Sequence, residues 1–465
     1  MNYSGEKSNK SIPVVTVYIP CKDYGHYLHV AVKSVLAQLF TDWELLIIDE
    51  ASTDDTTIIA KQFVQKHPDK IKLITNDKPQ GLQRIANQIL KIAQGRYIVR
   101  LDADDWFDEC ALLLMAAKLE SDSELGLVYG NYFYTDPSGK VIGVERRHKL
   151  WIEDVSGHLP PHGACTMIRT RTLKSVGGYS EDVDAQDGWD LWFKLVNRVK
   201  VANLEAPLFY YRQHEKSLSR DTERLFKARS IIMSKLRSKL EGNYTPSCLA
   251  VLPVKESYPG FEGVPYRKFG EKSMLEWAIN SAQRAKGVTE VAVSTESPTV
   301  LEFADRLVEG GKVQPHFHVL RPSNLTGTYI PLREIMLHIG QAYFENSGRY
   351  PDIMVYLSLH SPLREPFHVD NAINTLLIME ADSVVSVCEE REPIFSHGHD
   401  GLKLLNPGRF NNLTYERERF YQFNGAVLAV WWEILRQSDL FGQRIGYVEM
   451  TAKESFQVKR SEDLR

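Results

Sequence analysis

The sequence predicts an α/β protein built from two successive α/β/α domains. Three observations carry this. Short, almost wholly apolar runs alternate with segments of helical period, the pattern of parallel strands covered on both faces. The alternation starts twice, near residues 14 and 249, on either side of a basic helical stretch. The chain's 465 residues also exceed what one ordinary core organises, so two domains of roughly 200–250 residues are expected.

In the first half, VVTVYIP from Val14 reads as strand one. The helix after it places Leu28, Val32, Val35, Leu36 and Leu39 on one face. ELLIID (44–49), IKLIT (71–75) and YIVRLD (97–102) read as strands two, three and four, with helical segments at 55–66 and 81–94 between them. Ligands of open parallel sheets bind at the carboxyl ends of strands. The carboxylates that follow strands two and four therefore stand at a binding edge.

Residues 222–247 change character. LFKARSIIMSKLRSKL is a basic amphipathic helix and EGNYTPS after it is turn-rich, which marks the domain boundary. A basic helix of this kind leaves room for peripheral contact with an anionic membrane; packing on its own domain is the plainer reading. The second alternation then runs LAVLPV (249–254), a Pro- and Gly-rich loop, helix MLEWAINSAQRA, strand VTEVAVST, a helix near 298–308, strand FHVL, a helix near 330–345 and strand DIMVYLSL. ADSVVSVCE (381–389) and FNGAVLAV (423–430) add two more strands.

Composition narrows the function classes. With 43% hydrophobic residues, 25% charged residues and a net charge of −4, nothing points to nucleic acid. The cysteines Cys21, Cys110, Cys165, Cys248 and Cys388 are isolated, odd in number and without a CxxC pair, as in a reduced cytoplasmic protein. The polar start MNYSGEKSNKSIP lacks a signal-peptide core, and no apolar run approaches the roughly 20 residues that span a bilayer. The expected location is cytoplasmic, with any membrane contact peripheral to its inner face.

The sharpest chemical signal is Arg100-Leu101-Asp102-Ala103-Asp104-Asp105-Trp106 behind a strand. Two carboxylates one residue apart at a strand end can reach a ribose and a hard divalent cation together. Asp49 ends strand two, Pro20 ends strand one, and Lys22 and Asp23 follow it.

With VVTVYIPCKDYGHYL, SVLAQLFTDWELLIIDEASTDDT, GRYIVRLDADD and AQDGWDLWFKL in order, residues 13–220 closely resemble inverting glycosyltransferase family 2, which has the GT-A fold. The resemblance implies a donor-nucleotide site of Pro20, Asp23, Asp49, Arg84 and Asp102, and a Mn²⁺ or Mg²⁺ site of Asp104 and His214. Asp187 matches the family's catalytic base, which needs an ionised carboxylate within reach of the acceptor hydroxyl. Asp190 is the rival, read as a solvated or capping carboxylate. Arg212 is a second candidate for the phosphate, and His162 for the acceptor side. Where the family has an arginine deeper in the helix, this chain has Ala86, leaving Arg84 nearest.

Residues 249–465 resemble the cytidylyltransferases that make CMP-activated acidic sugars, on LAVLPVKES…GVPYRK, VAVSTES, VLRPSNL, LSLHSPLR, ADSVVSV, FNGAVLAV and SEDL. The active-site pattern departs from that family. Lys255 replaces an arginine, Glu256 adds a negative charge near the phosphate path, and Ser358 replaces a glutamine. Gln457 and Lys459 stand where the family has its metal-binding aspartate pair, and an ammonium repels a metal. Lys255 and Asn424 remain as candidates for a nucleotide or sugar site.

The resemblances together imply two Rossmann-like α/β/α domains. A GT-A glycosyltransferase domain covers 1–221, a helical linker 222–248, and a nucleotidyltransferase-like domain, degenerate in its site, 249–465. The implied activity is transfer from a nucleotide sugar, a UDP-sugar by default, to a glycan or lipid-linked glycan acceptor. The alternative is a bifunctional enzyme that also makes a CMP-activated acidic sugar. Domains like the second often pair, which implies a homo-oligomer. Two non-catalytic scaffolds would not need Asp49, Asp102, Asp104 and Asp187 together.

Overall fold

The structure is a computed structural model. It describes residues 12–145, 162–183, 185, 187–195, 198–214, 221–240, 245–327, 329–406, 419–437 and 440–464, with the backbone alone at 187, 222, 239 and 240. Contacts group the chain into two compact units, Met1–Arg220 with Pro393–Glu418, and Asp221–Glu392 with Arg419–Arg465.

The first unit runs β1 (Val15–Cys21), α1 (Gly25–Leu36), β2 (Trp43–Glu50), α2 (Thr56–Lys66), β3 (Ile71–Asn76), α3 (Leu82–Ile92) and β4 (Tyr97–Arg100). It continues with β5 (Trp106–Phe107), α4 (Ala111–Ser121), β6 (Leu125–Thr135), β7 (Val141–Glu145), β8 (Thr166–Arg169), α5 (Thr170–Ser175), α6 (Asp187–Leu195) and β9 (Lys200–Arg212). The sheet order is β3-β2-β1-β4-β8-β6-β9-β5, with β7 beside β6. β1 to β4 are parallel, and β8 runs antiparallel between β4 and β6.

Helices cover both faces. Leu28, Ala31, Val32 and Val35 of α1 pack with α4 on Val17, Ile19, Leu45 and Ile47. Ile85, Ala86 and Ile89 of α3 pack on Tyr18, Leu46 and Ile48 of the other face. The α1 stripe follows helical spacing but stops early. The helix ends at Leu36, and the N–H of Leu39 donates to the carbonyl of Glu109 instead, leaving the Leu39 side chain exposed.

The second unit begins with α7 (Thr222–Leu240), which packs along the later helix at Pro366–Ile378 of its own unit and is no free linker. It continues β10 (Cys248–Pro253), β11 (Lys268–Phe269), β12 (Lys272–Ser273), α8 (Met274–Gln283), β13 (Glu290–Thr295), α9 (Pro298–Glu309), β14 (Phe317–Leu320), α10 (Leu332–Ser347), β15 (Ile353–Leu357) and α11 (Pro366–Ile378). Then come β16 (Ser383–Glu390), β17 (Phe395–Gly398), β18 (Gly401–Leu404), β19 (Phe420–Trp431), α12 (Trp432–Gln437) and β20 (Ile445–Glu449). The hairpin β17–β18 groups with the first unit.

The large sheet here is ordered β14-β13-β10-β15-β19-β16-β20. Its first four strands are parallel and β19 is antiparallel to both neighbours. α8, α9 and α11 cover one face, α10 and α12 the other. Among the described residues, no helix is long and apolar enough to cross a membrane.

Candidate active site

In the first unit the strand order reverses direction between β1 and β4, the switch point where open α/β sheets bind ligands. A cleft of about 280 Å³ lies there. Pro20, Lys22 and Tyr24 line it from the end of β1, Glu50 from β2, and Gly81 and Leu82 from the start of α3. Asp102, Ala103 and Asp104 line it from the turn after β4, and Tyr211 from β9.

The acidic turn is locked into place by β9. The N–H of Arg212 donates to Asp105 Oδ1 at 2.8 Å, and its Nε donates to the Asp104 carbonyl at 2.8 Å. The guanidinium also donates to the Pro137 carbonyl and lies over the rings of Tyr27 and Trp106. Arg212 is thus a brace for the turn rather than a cation reaching into the cleft. Two residues on, His214 Nε2 lies 2.9 Å from Asp104 Oδ2, with Tyr24 and Tyr27 rings around it. Asp102 pairs with Arg100 at 3.0 Å.

Burial, then the Asp104 and Asp102 carboxylates, pushes the fully buried Asp105 carboxyl well above the usual range. Burial and the same two carboxylates also push up the Tyr24 hydroxyl. The turn therefore concentrates negative charge where a cation would relieve it.

Asp49 and Glu50 divide by strand alternation. Asp49 does not line the cleft, although Cys21 beside it on β1 does. The Asp49 carboxylate accepts from the Ser52 N–H at 3.0 Å and from the Thr57 hydroxyl. Glu50 faces the cleft and accepts from the N–H groups of Gln80 (2.7 Å) and Gly81 (3.1 Å) and from Asn76. Gly81 holds φ at +88°, a turn that suits glycine.

Asp23 accepts from Thr53 and lies outside the cleft lining, as does Arg84, exposed and 3.6 Å from Glu181. His162 lies among the rings of Tyr132, Phe209 and Tyr211, so it is a packed residue and no surface-loop histidine. Asp190 is buried rather than solvated. It accepts from the Ser180 N–H and hydroxyl at 2.9 and 2.8 Å and from Lys194 at 2.7 Å. Asp187 opens α6; its side chain lies outside the described residues, as do Asp184 and Gln186 and the stretch 215–220.

The reading from sequence missed Glu50, Tyr24 and Tyr211, and named Lys22 without giving it a role. Period-two alternation along β2 was the signal for Glu50. The two tyrosines carried none, because they reach the cleft from elements far apart in the chain.

In the second unit, the candidates are turned inward. Lys255 donates to the Gly327 carbonyl at 3.0 Å. Glu256, expected near a phosphate path, accepts from Tyr266 at 2.9 Å and Ser297 at 2.8 Å. Asn424 accepts from Ser386 and the Ala426 N–H and donates to Ser455 and Met450. The side chain of Gln457 donates to the Asn424 carbonyl. Asn424 is a tie between β16, β19 and the 450–455 segment.

Residues 16–175 match the model of Glycosyl transferase family 2. Chondroitin synthase of Escherichia coli is 29% identical over 192 residues, 40% of this chain and 27% of that protein. UDP-Glc:alpha-D-GlcNAc-diphosphoundecaprenol beta-1,3-glucosyltransferase WfgD of Escherichia coli is 26% identical over 209 residues, 44% of this chain and 79% of that protein. Putative glycosyltransferase EpsE of Bacillus subtilis (strain 168) is 29% identical over 213 residues, 45% of this chain and 76% of that protein. The chain thus spans about a quarter of the first relative's length and about three quarters of the other two. The family match lies wholly within the first unit and covers none of the second.

Proposed function

We propose that this chain is an inverting, metal-dependent glycosyltransferase that moves a sugar from a nucleotide-sugar donor to a hydroxyl acceptor in polysaccharide or glycoconjugate biosynthesis. The observation that carries the reading is that Asp102 and Asp104 line one cleft at the switch point and His214 touches Asp104. A UDP-sugar is the favoured donor; the relative WfgD is named for a UDP-Glc donor and a diphosphoundecaprenol-linked sugar acceptor.

The residues fit a Mn²⁺ or Mg²⁺ ion. An imidazole and a carboxylate that already touch present two donors to one point, and Asp102 lies two residues away in the same cleft. Among the described residues, no three His, Cys, Asp or Glu side chains cluster tightly enough to hold a metal unaided. Donor diphosphate oxygens and water would complete the shell. The ion, when bound, neutralises charge on the departing diphosphate. Asp102 and the brace of Arg212 hold the donor side, Glu50 fixes the segment entering α3, and Asp187 takes the acceptor proton for in-line attack at the anomeric carbon.

The second unit is read as a cytidylyltransferase-like module without catalysis. Asn424 and Glu256 are occupied by their own chain, and Gln457 and Lys459 stand in the place of two carboxylates. It would serve docking or self-association. Five free thiols are in keeping with work in the reducing cytoplasm, at or near the inner membrane face.

The test is a screen of UDP-, GDP-, dTDP- and CMP-sugars with Mn²⁺, reading nucleotide release. Release by wild type but not by Asp104→Ala supports the reading. Equal release by the variant, or none with any donor and acceptor, overturns it. Pyrophosphate release from CTP with an acidic sugar and Mg²⁺ would overturn the non-catalytic reading of the second unit.

A further inference from the structure

Two histidines whose ring nitrogens meet stand at the start of the edge strand β14, His316 just before it and His318 within it. His316 and His318 are two residues apart, so alternation puts both on one side, while Phe317 and Val319 pack into the opposite face with α10. Their Nε2 atoms lie 3.1 Å apart, with ring centroids at 4.8 Å and 60° between planes.

Each ring is oriented from behind. His316 Nδ1 lies 3.0 Å from the Gln314 carbonyl, which can only accept, so the proton sits on Nδ1 and the Nε2 lone pair points outward. The Gln314 carbonyl is itself pinned by the side-chain amide of Gln283 on α8, at 2.7 Å. Behind His318, Asp305 of α9 stands with its carboxylate 3.8 Å from Nδ1. As the rings stand, the pair is satisfied by a His318 Nε2–H donating to His316 Nε2.

The geometry points to a transition-metal site on this edge, separate from the glycosyltransferase cleft, in which His316 Nε2 and His318 Nε2 bind a borderline-soft divalent cation such as Zn²⁺. Two nitrogens about 2.05 Å from one metal are about 2.9 Å apart at a right angle and about 3.4 Å apart at the tetrahedral angle. The observed separation falls between these values. On binding, the His318 proton shifts from Nε2 to Nδ1 and faces Asp305, and the metal takes the place of the shared proton. A carbonyl behind one ring and a carboxylate behind the other are the outer partners that hold metal-binding imidazoles. Among the described residues no third His, Cys, Asp or Glu completes the set, so water fills the remaining positions. Two imidazoles without a carboxylate ligand favour late first-row ions, whereas the cleft offers one imidazole among carboxylates.

The test titrates the tag-free, chelator-stripped full chain with Zn²⁺ by calorimetry and with Co²⁺ by visible absorption. A binding event is expected that persists in Asp104→Ala. It should be lost in the His316→Ala/His318→Ala double variant and weaken by roughly tenfold in Asp305→Asn, with far-UV circular dichroism unchanged. His318 is partly exposed, so the double variant should fold. No binding up to millimolar metal, or an event unchanged in the double variant, overturns the assignment. Loss of binding in Asp104→Ala but not in the double variant places the ion in the cleft and overturns it equally.

Discussion

His214 Nε2 lies 2.9 Å from Asp104 Oδ2, joining residues 110 positions apart. The contact depends on the end of β9 lying beside the turn after β4, and Arg212 fixes that arrangement through Asp105 and the Asp104 carbonyl. A divalent ion binding there would displace the proton shared by the pair. His214→Ala and Asp104→Ala should therefore each weaken Mn²⁺-supported donor binding by roughly tenfold or more, and leave metal-free binding nearly unchanged. Calorimetry with UDP, with and without Mn²⁺, reads this directly. Equal losses in both conditions would mean that the pair acts without a metal.

Glu50 offers a second handle on the cleft. Its carboxylate satisfies two backbone N–H groups at the entrance to α3, each a charge-assisted bond. Glu50→Ala leaves those donors without their acceptor and should cost about 2 kcal/mol in urea unfolding of the first unit. Glu50→Gln, which keeps one acceptor oxygen, should cost less. Donor affinity should follow the same order, because Gly81 and Leu82 line the cleft. A Glu50→Ala protein as stable as wild type would show that the segment is held by other contacts.

The contrast between Glu50 and Asp49 shows what the sequence made legible. Strand identity was plain from apolar runs, and the switch point followed from strand–helix alternation. Alternation sends these two adjacent carboxylates to opposite faces of β2, but which of them lines the cleft was not legible, because helices cover both faces. Asp104 and His214 were paired only through the family resemblance, since nothing local in YYRQH marks a partner 110 residues away. Asp190, read as a solvated or capping carboxylate, is buried; Lys194 is its i,i+4 neighbour on α6, but Ser180 reaches it only through the turn at Gly178. That turn has φ +72° at Gly178, and a Cβ there would stand 2.4 Å from Asn87 Oδ1. In the second unit, the family-like Asn424 was visible in sequence, but its engagement with Ser455 was not.

Asp187 and Asp190 should separate cleanly on mutation. Asp190→Ala removes the partner of a largely buried Lys194 ammonium and of two Ser180 groups, so it should destabilise the first unit by about 3 kcal/mol. Asp187→Asn should leave the melting temperature near wild type while transfer is nearly abolished and donor binding kept. Thermal unfolding together with a transfer assay gives the split. If Asp187→Asn transfers sugar at the wild-type rate, the base lies elsewhere.

Glu454 should give the second unit an acid-sensitive tie. Burial works against its charge, but His368 and Thr451 outweigh that and hold the carboxyl down at about 2, from an ordinary 4.5. His368 Nδ1 accepts the Glu365 N–H at 3.0 Å, so its ring proton is on Nε2, facing Glu454 Oε1 at 3.4 Å. The Thr451 N–H and hydroxyl donate to the other oxygen at 2.9 and 2.8 Å. A carboxyl whose folded pKa is depressed stabilises the fold fully above its unfolded pKa and loses that contribution as pH falls through the folded value. The contribution should be at most about 3 kcal/mol above pH 4.5 and vanish as the pH approaches 2. Glu454→Gln should therefore be less stable than wild type at pH 6, and the gap should close between about pH 4.5 and 2. Because His368 lies on α11 and Glu454 follows β20, the tie holds that helix against the segment beyond the sheet edge. Hydrogen-exchange protection of the α11 amides, compared between the two proteins across this range, reads the effect. A gap that stays constant down to pH 2.5 would assign the loss to packing of the side chain and not to its charge.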